Sequence, residues 1–280
     1  MKNTITLLLV ILLTGSLTAQ NFQGQATYKS KRKIDIKLDS TQVDTGMHEK
    51  MMEMLKKQFE KTYTLNFNSS ESIYKEEEKL GKPQGPNNME MVMINTGGSD
   101  ILYKSIKENR YTNQNDVFGK IFLIKDNLEK LDWKLENETK NIGEYTCYKA
   151  ILKREIEVFE SGISFNGDKD LDETKKTAPK MKEITITAWY TLAIPISNGP
   201  GTFHGLPGLI LAVNDGTETI ICSKIVLNPK NNIVLKEPNK GKIVSQKKFE
   251  TIIDKKMKEM EERRSYNSND GENIEIIIGG

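Results

Sequence analysis

Residues 188–211 read Ala-Trp-Tyr-Thr-Leu-Ala-Ile-Pro-Ile-Ser-Asn-Gly-Pro-Gly-Thr-Phe-His-Gly-Leu-Pro-Gly-Leu-Ile-Leu, placing three prolines and four glycines between two apolar runs. Proline fixes φ and glycine admits positive φ, so such a segment follows one defined backbone path. The residues leading into it, 183–191, alternate cleanly and are rich in β-branched and aromatic side chains, the pattern of a strand. Ile184, Ile186, Ala188 and Tyr190 fall on one face, and Thr185, Thr187, Trp189 and Thr191 on the other. Beyond the loop, 209–213 form an apolar run, followed by Asn214-Asp-Gly216 and the run 217–226, a hairpin by its turn chemistry. Strand, shaped loop and hairpin commit this part of the chain to an antiparallel sheet.

The remainder supplies further short strands. Residues 25–37, 63–67, 72–76, 102–106, 119–124, 131–135 and 145–152 carry apolar, β-branched or aromatic runs separated by turn residues such as Asn68-Ser-Ser-Glu71 and Asp126-Asn127. Two segments have helical spacing instead. Met47, Met51, Met54, Leu55 and Phe59 predict an amphipathic helix over 47–63. Phe249, Ile252, Ile253, Met257 and Met260 predict a second over 246–264, with Ser245 placed to cap it. Many strands with helices near the two ends imply an α+β fold, mainly antiparallel β, built as a curved sheet or open half-barrel. Residues 155–182, with the acidic run Asp168-Lys-Asp-Leu-Asp172-Glu173, read as a surface insertion, and the chain from about 265 as a polar tail ending in the apolar 274–278.

The first residues set the expected compartment. A short basic start, an apolar run over 5–13 and the small-residue exit ending at Ala19 have the form of a cleavable secretory signal. The run is shorter than the ~20 apolar residues of a spanning helix, and no later segment reaches that length. Residues 20–280 are then expected to be one β-rich domain, periplasmic or secreted, with no transmembrane helix in the mature chain. A formal charge of +2 names no nucleic-acid partner.

Several chemistries fail on inspection. The glycines of the loop lead into a strand, whereas a phosphate-binding loop needs a following helix. Gly162-Ile-Ser164-Phe-Asn166 lacks the final glycine of a nucleophile elbow. His48-Glu49 begins like a zinc-protease helix, but Met52 stands where the second histidine belongs, and the only other histidine is His204. The acidic run has Glu173 where a calcium loop needs glycine. No metal, cofactor or catalytic residue is expected. Cys147 and Cys222, each within a strand-like run, lack redox or metal spacing; in an oxidising compartment they can pair, and as buried thiols they need not.

Gly205-Leu-Pro-Gly-Leu-Ile210, preceded by Trp189-Tyr-Thr, Ile194-Pro-Ile196 and Gly199-Pro200, resembles the signature of the GLPGLI family, secreted Bacteroidetes proteins of unknown function. The likeness extends to Ile142-Gly-Glu-Tyr-Thr-Cys147-Tyr-Lys149-Ala150 and to Ser72-Ile-Tyr74. It implies no catalytic residue, substrate or cofactor. The candidate binding residues are therefore those of the motif: Trp189, Tyr190, Pro195, Gly199, Pro200, Phe203, Gly205, Leu206, Pro207, Gly208, Leu209 and Ile210. The expected function is a non-enzymatic envelope protein that holds an apolar ligand or partner protein with the concave sheet and loop 195–208. The alternatives are an accessory of an outer-membrane transport system and a hydrolase without a recognisable motif.

Overall fold

A computed structural model describes residues 22–33, 60–77, 101–117, 119–158 and 180–267. Among them, twelve strands and one helix form. The strands are β1 (Gln23–Arg32), β2 (Glu60–Asn68), β3 (Glu71–Glu76), β4 (Ile101–Ser105), β5 (Arg110–Val117), β6 (Lys120–Asn127), β7 (Lys134–Ile142), β8 (Tyr145–Val158), β9 (Lys180–Thr191), β10 (Leu209–Asn214), β11 (Glu218–Leu227) and β12 (Lys242–Val244). The helix α1 spans Gln246–Asn267. All strands join one open sheet in the order β12-β6-β5-β4-β3-β2-β1-β11-β10-β9-β8-β7, and every pairing is antiparallel except β12 with β6. The mainly antiparallel, open architecture is the one expected from the sequence.

The helix over 47–63 requires correction. Glu60–Tyr63, its last turn, open strand β2, and residues 47–59 lie outside the described residues. Lys61, Thr62 and Tyr63 continue the alternation of Thr64, Leu65 and Phe67, and pairing on both sides, with β1 and β3, outweighs the helical spacing of the segment before them. Strands β8 and β9 also run further than the expected insertion boundaries: 155–158 pair with 180–183 in a two-stranded arm, and residues 159–179 lie outside the described set. The polar strand β5 and the short β12 were not marked by alternation. The run 131–135 enters strand only at Lys134.

One rung shows how the sheet is organised. Ala26, Leu65, Tyr74, Leu102, Asn113 and Ile124 stand opposite one another across β1 to β6. With period-two alternation, these residues share one face, here called inner. Two elements cover it. The β9–β10 loop places Ile194 and Ile196 against Ala26, Tyr28, Leu65, Phe67 and Leu102, and Cys147 of β8 joins the same cluster because the sheet curls on itself. At the far side α1 packs Phe249 and Ile253 on Phe122, Ile124 and Val244. Ser245 caps this helix through the Lys248 N–H at 3.4 Å, as expected.

The outer face carries a strap. Residues 228–241 leave β11 and arrive at β12, crossing seven inter-strand spacings of about 4.8 Å, and fourteen residues at ~3.3 Å each reach that far. Gln23 tethers the strap's start, accepting from the Asn228 and Ile233 N–H groups. In the middle, the Glu237 carboxylate takes a two-pronged bond from Arg110 (3.0 and 3.1 Å), a hydroxyl bond from Thr112 and an ion pair with Lys125 at 3.3 Å. Burial alone would raise the Glu237 pKa, but these donors prevail and hold it at about 2.

Candidate functional site

The proline-glycine loop is held from below by strands far away in sequence. Lys104 of β4 and Ser72 of β3 are cross-strand partners on the inner face. The Lys104 ammonium, fully buried, donates to the carbonyl oxygens of Gly199 (2.8 Å), Gly201 (2.7 Å) and Phe203 (3.2 Å). Ser72 Oγ donates to Asn198 Oδ1 at 3.3 Å, and the same oxygen accepts from the Gly199 N–H at 2.9 Å. Burial pushes the Lys104 pKa down to about 7, while three carbonyl dipoles converge on its charged form. Lysine is suited to this task because its three N–H bonds radiate from one nitrogen.

Inside the loop the backbone closes on itself. Leu209 N–H donates to Ile194 O at 2.9 Å, Ile210 N–H to Asn198 O at 3.0 Å, and Phe203 N–H to Pro200 O at 3.1 Å. Gly205 has φ +91°, a left-handed conformation, and its N–H donates to Ser197 Oγ at 3.0 Å. Gly208 is required for a different reason: a Cβ there would stand 2.0 Å from the Thr191 carbonyl oxygen. The residue lies against the end of β9, where the loop begins. From two other sides, Tyr28 donates its hydroxyl to Ile210 O and Trp133 its Nε1–H to His204 O, both at 2.8 Å.

The motif residues do not form one surface. Tyr190 is buried with Leu206 and Ile210 in a core cluster of β8, β9 and β10. Trp189 points to the opposite face, where the Lys140 ammonium lies 4.1 Å from its ring centroid. Phe203 packs on Trp133, ring centroids 6.2 Å apart. Gly199, Pro200, Gly208, Leu209 and Ile210 are buried, whereas Pro195, Gly205 and Pro207 are exposed. Burial lowers the His204 pKa, against the raising effect of the Thr202 carbonyl that its Nδ1 contacts. Cys147 and Cys222 are free thiols, the first buried and the second half-buried.

What remains open to solvent is a groove of about 500 Å³ between Gly205-Leu-Pro207 and residues 131–135. Trp133, Asp132 and Lys134 line it together with Leu135, which is 56% exposed. The loop side of this groove is legible in the sequence and the other side is not. Lys104 leaves one signal in the sequence, a lysine two residues from Leu102 and two from Ile106, on the apolar parity of its strand. Among the described residues no group of three or more His, Cys, Asp and Glu side chains is disposed to hold a metal ion. No helix among them is long and apolar enough to cross a membrane.

No curated protein matches the chain. Two solved structures of PNGF-II, one in space group C2 and one in P21, are similar to it with TM-scores of 0.47 and 0.45 and sequence identities of 15% and 16%. Each alignment covers 84% of this chain but 33% of the other, so this chain spans about a third of their length. Residues 133–212, which hold both Trp133 of the groove and the whole proline-glycine loop, match the model of a family described as a protein of unknown function, Porph_ging.

Proposed function

We propose that this chain is a non-enzymatic binding protein of the cell envelope, periplasmic or secreted, that engages a partner protein on the groove between the proline-glycine loop and residues 131–135. The observation that carries the reading is the division of labour within the loop. Its buried half is spent on the inner face of the sheet, leaving Gly205 and Pro207 to build, with Trp133 and Leu135, a fixed and partly apolar rim. A pre-formed rim loses little entropy on binding, which favours recognition by a surface of this size. Export rests on the apolar run at 5–13 and the small residues ending at Ala19.

The test is affinity capture from envelope extracts with cross-linking, using the mature chain and its Leu135→Asp variant. Leu135 is exposed, so the variant should melt with the wild type while losing the captured partner. Equal capture by both proteins would remove the groove from the reading, and recovery of neither with any envelope protein would remove partner binding itself.

A further inference from the structure

Cys147 and Cys222 come from β8 and β11, and β9 and β10 stand between those strands in the sheet. In a flat sheet that is about 14 Å, beyond the ~7 Å that a disulfide tolerates between Cα atoms. In this fold neither cysteine sits within the ladders that would impose that spacing. The β10–β11 ladder ends at Ala212 opposite Ile221, one residue before Cys222, and from there β11 continues on β1 alone to Leu227. The β8–β9 ladder begins only at Tyr148 opposite Tyr190, so Cys147 too lies just outside it. Tyr145 and Cys147 share one apolar cluster with Cys222 and Ile225. Cys147 Sγ donates to the Tyr145 carbonyl at 3.6 Å, and Cys222 Sγ to the Lys224 carbonyl at 3.5 Å.

We infer that Cys147 and Cys222 are a thiol pair that closes to an intramolecular disulfide, stapling β8 to β11 beyond the ends of these ladders. The oxidant is a disulfide compound that reaches the half-buried Cys222 first. The Cys222 thiolate attacks one sulfur of that compound, forming a mixed disulfide and expelling one thiolate, which takes up the Cys222 proton from solvent. The Cys147 thiolate then attacks the Cys222 sulfur and expels the second thiolate, which is protonated in turn. Two protein thiols are oxidised and one external disulfide is reduced, so electrons and protons balance. Burial raises both thiol pKa values, that of Cys222 to about 11, which makes the first attack slow at neutral pH and faster in alkali.

The experiment incubates the folded protein with oxidised glutathione at about pH 9, quenches with acid, then denatures and alkylates with N-ethylmaleimide before mass analysis. The expected product is about 2 Da lighter than the reduced chain, takes up no maleimide, and yields one cross-linked peptide pair containing Cys147 and Cys222. In the Cys222→Ser variant, Cys147 should stay alkylatable throughout. Two maleimide adducts after glutathione treatment would overturn the inference. So would a stable glutathione adduct on Cys222 with no cross-link, since it would place Cys147 out of reach.

Discussion

The Lys104 ammonium lies 2.8 Å from the Gly199 carbonyl oxygen, with both residues buried, and among the described residues its hydrogen-bond partners are three carbonyl oxygens and no carboxylate. A strand lysine thereby fixes a loop that begins nearly ninety residues later, using carbonyl dipoles as its counter-charge. Replacement by methionine keeps the stem and leaves three carbonyls unpaired. Lys104→Met is expected to cost about 3 kcal/mol of stability, read by chemical denaturation, with amide exchange at 198–205 rising before exchange in β1 and β2. Lys104→Arg should not restore the loop, because a planar fork cannot aim three donors at carbonyls gathered around one point.

Neighbouring motif residues should behave differently. Gly208→Ala drives a methyl group into the Thr191 carbonyl and is expected to cost about 3 kcal/mol, the upper part of the range for forced overpacking. Pro207→Ala, at an exposed position, should cost less than about 1 kcal/mol. Thermal melts of the two variants separate backbone fit from surface.

The Glu237 clamp predicts a pH dependence. Its folded pKa, about 2, lies below the ordinary value of 4.5, so the unfolded chain binds the extra proton first as pH falls. The stabilisation is complete above the unfolded pKa and disappears between about 4.5 and 2. Glu237→Gln should therefore be less stable than wild type at pH 7, by about 1–2 kcal/mol for a partly exposed charge-assisted cluster, with the difference shrinking as pH falls through the folded pKa and vanishing below it. Urea midpoints across that range check the sign.

Helix α1 depends on few anchors. Phe249 lies edge-on to Phe122, ring centroids 5.4 Å apart, and is 3% exposed. Phe249→Ala should cost about 3 kcal/mol and lower the helical circular-dichroism signal at temperatures where the β signal persists.

The alternation of 183–191, the Asn-Asp-Gly turn and the helical spacing of 246–264 were legible because each is a local period, and the structure keeps all three. Strand β5 was not legible. Its sequence, Arg-Tyr-Thr-Asn-Gln-Asn-Asp-Val, has Tyr111 and Val117 as its only apolar residues, too far apart to mark an alternation, and its place inside the sheet follows from pairing with β4 and β6. Residues 60–63 misled for the same reason: helical spacing continued into them from 47–59, and sheet pairing decided their state. Strap residue Glu237 and groove residue Trp133 gave no sequence signal, since each gains its meaning from a partner more than seventy residues away.

The sequence by itself determined that this chain makes short antiparallel strands around one rigid proline-glycine connection, because dihedral restriction and period-two patterning are properties of neighbouring residues. The tertiary structure alone decided which side of that connection faces solvent. Curling of the sheet brings Ser72 and Lys104 beneath the loop and Trp133 beside it, and hydrogen bonds to carbonyls buried away from water fix the choice.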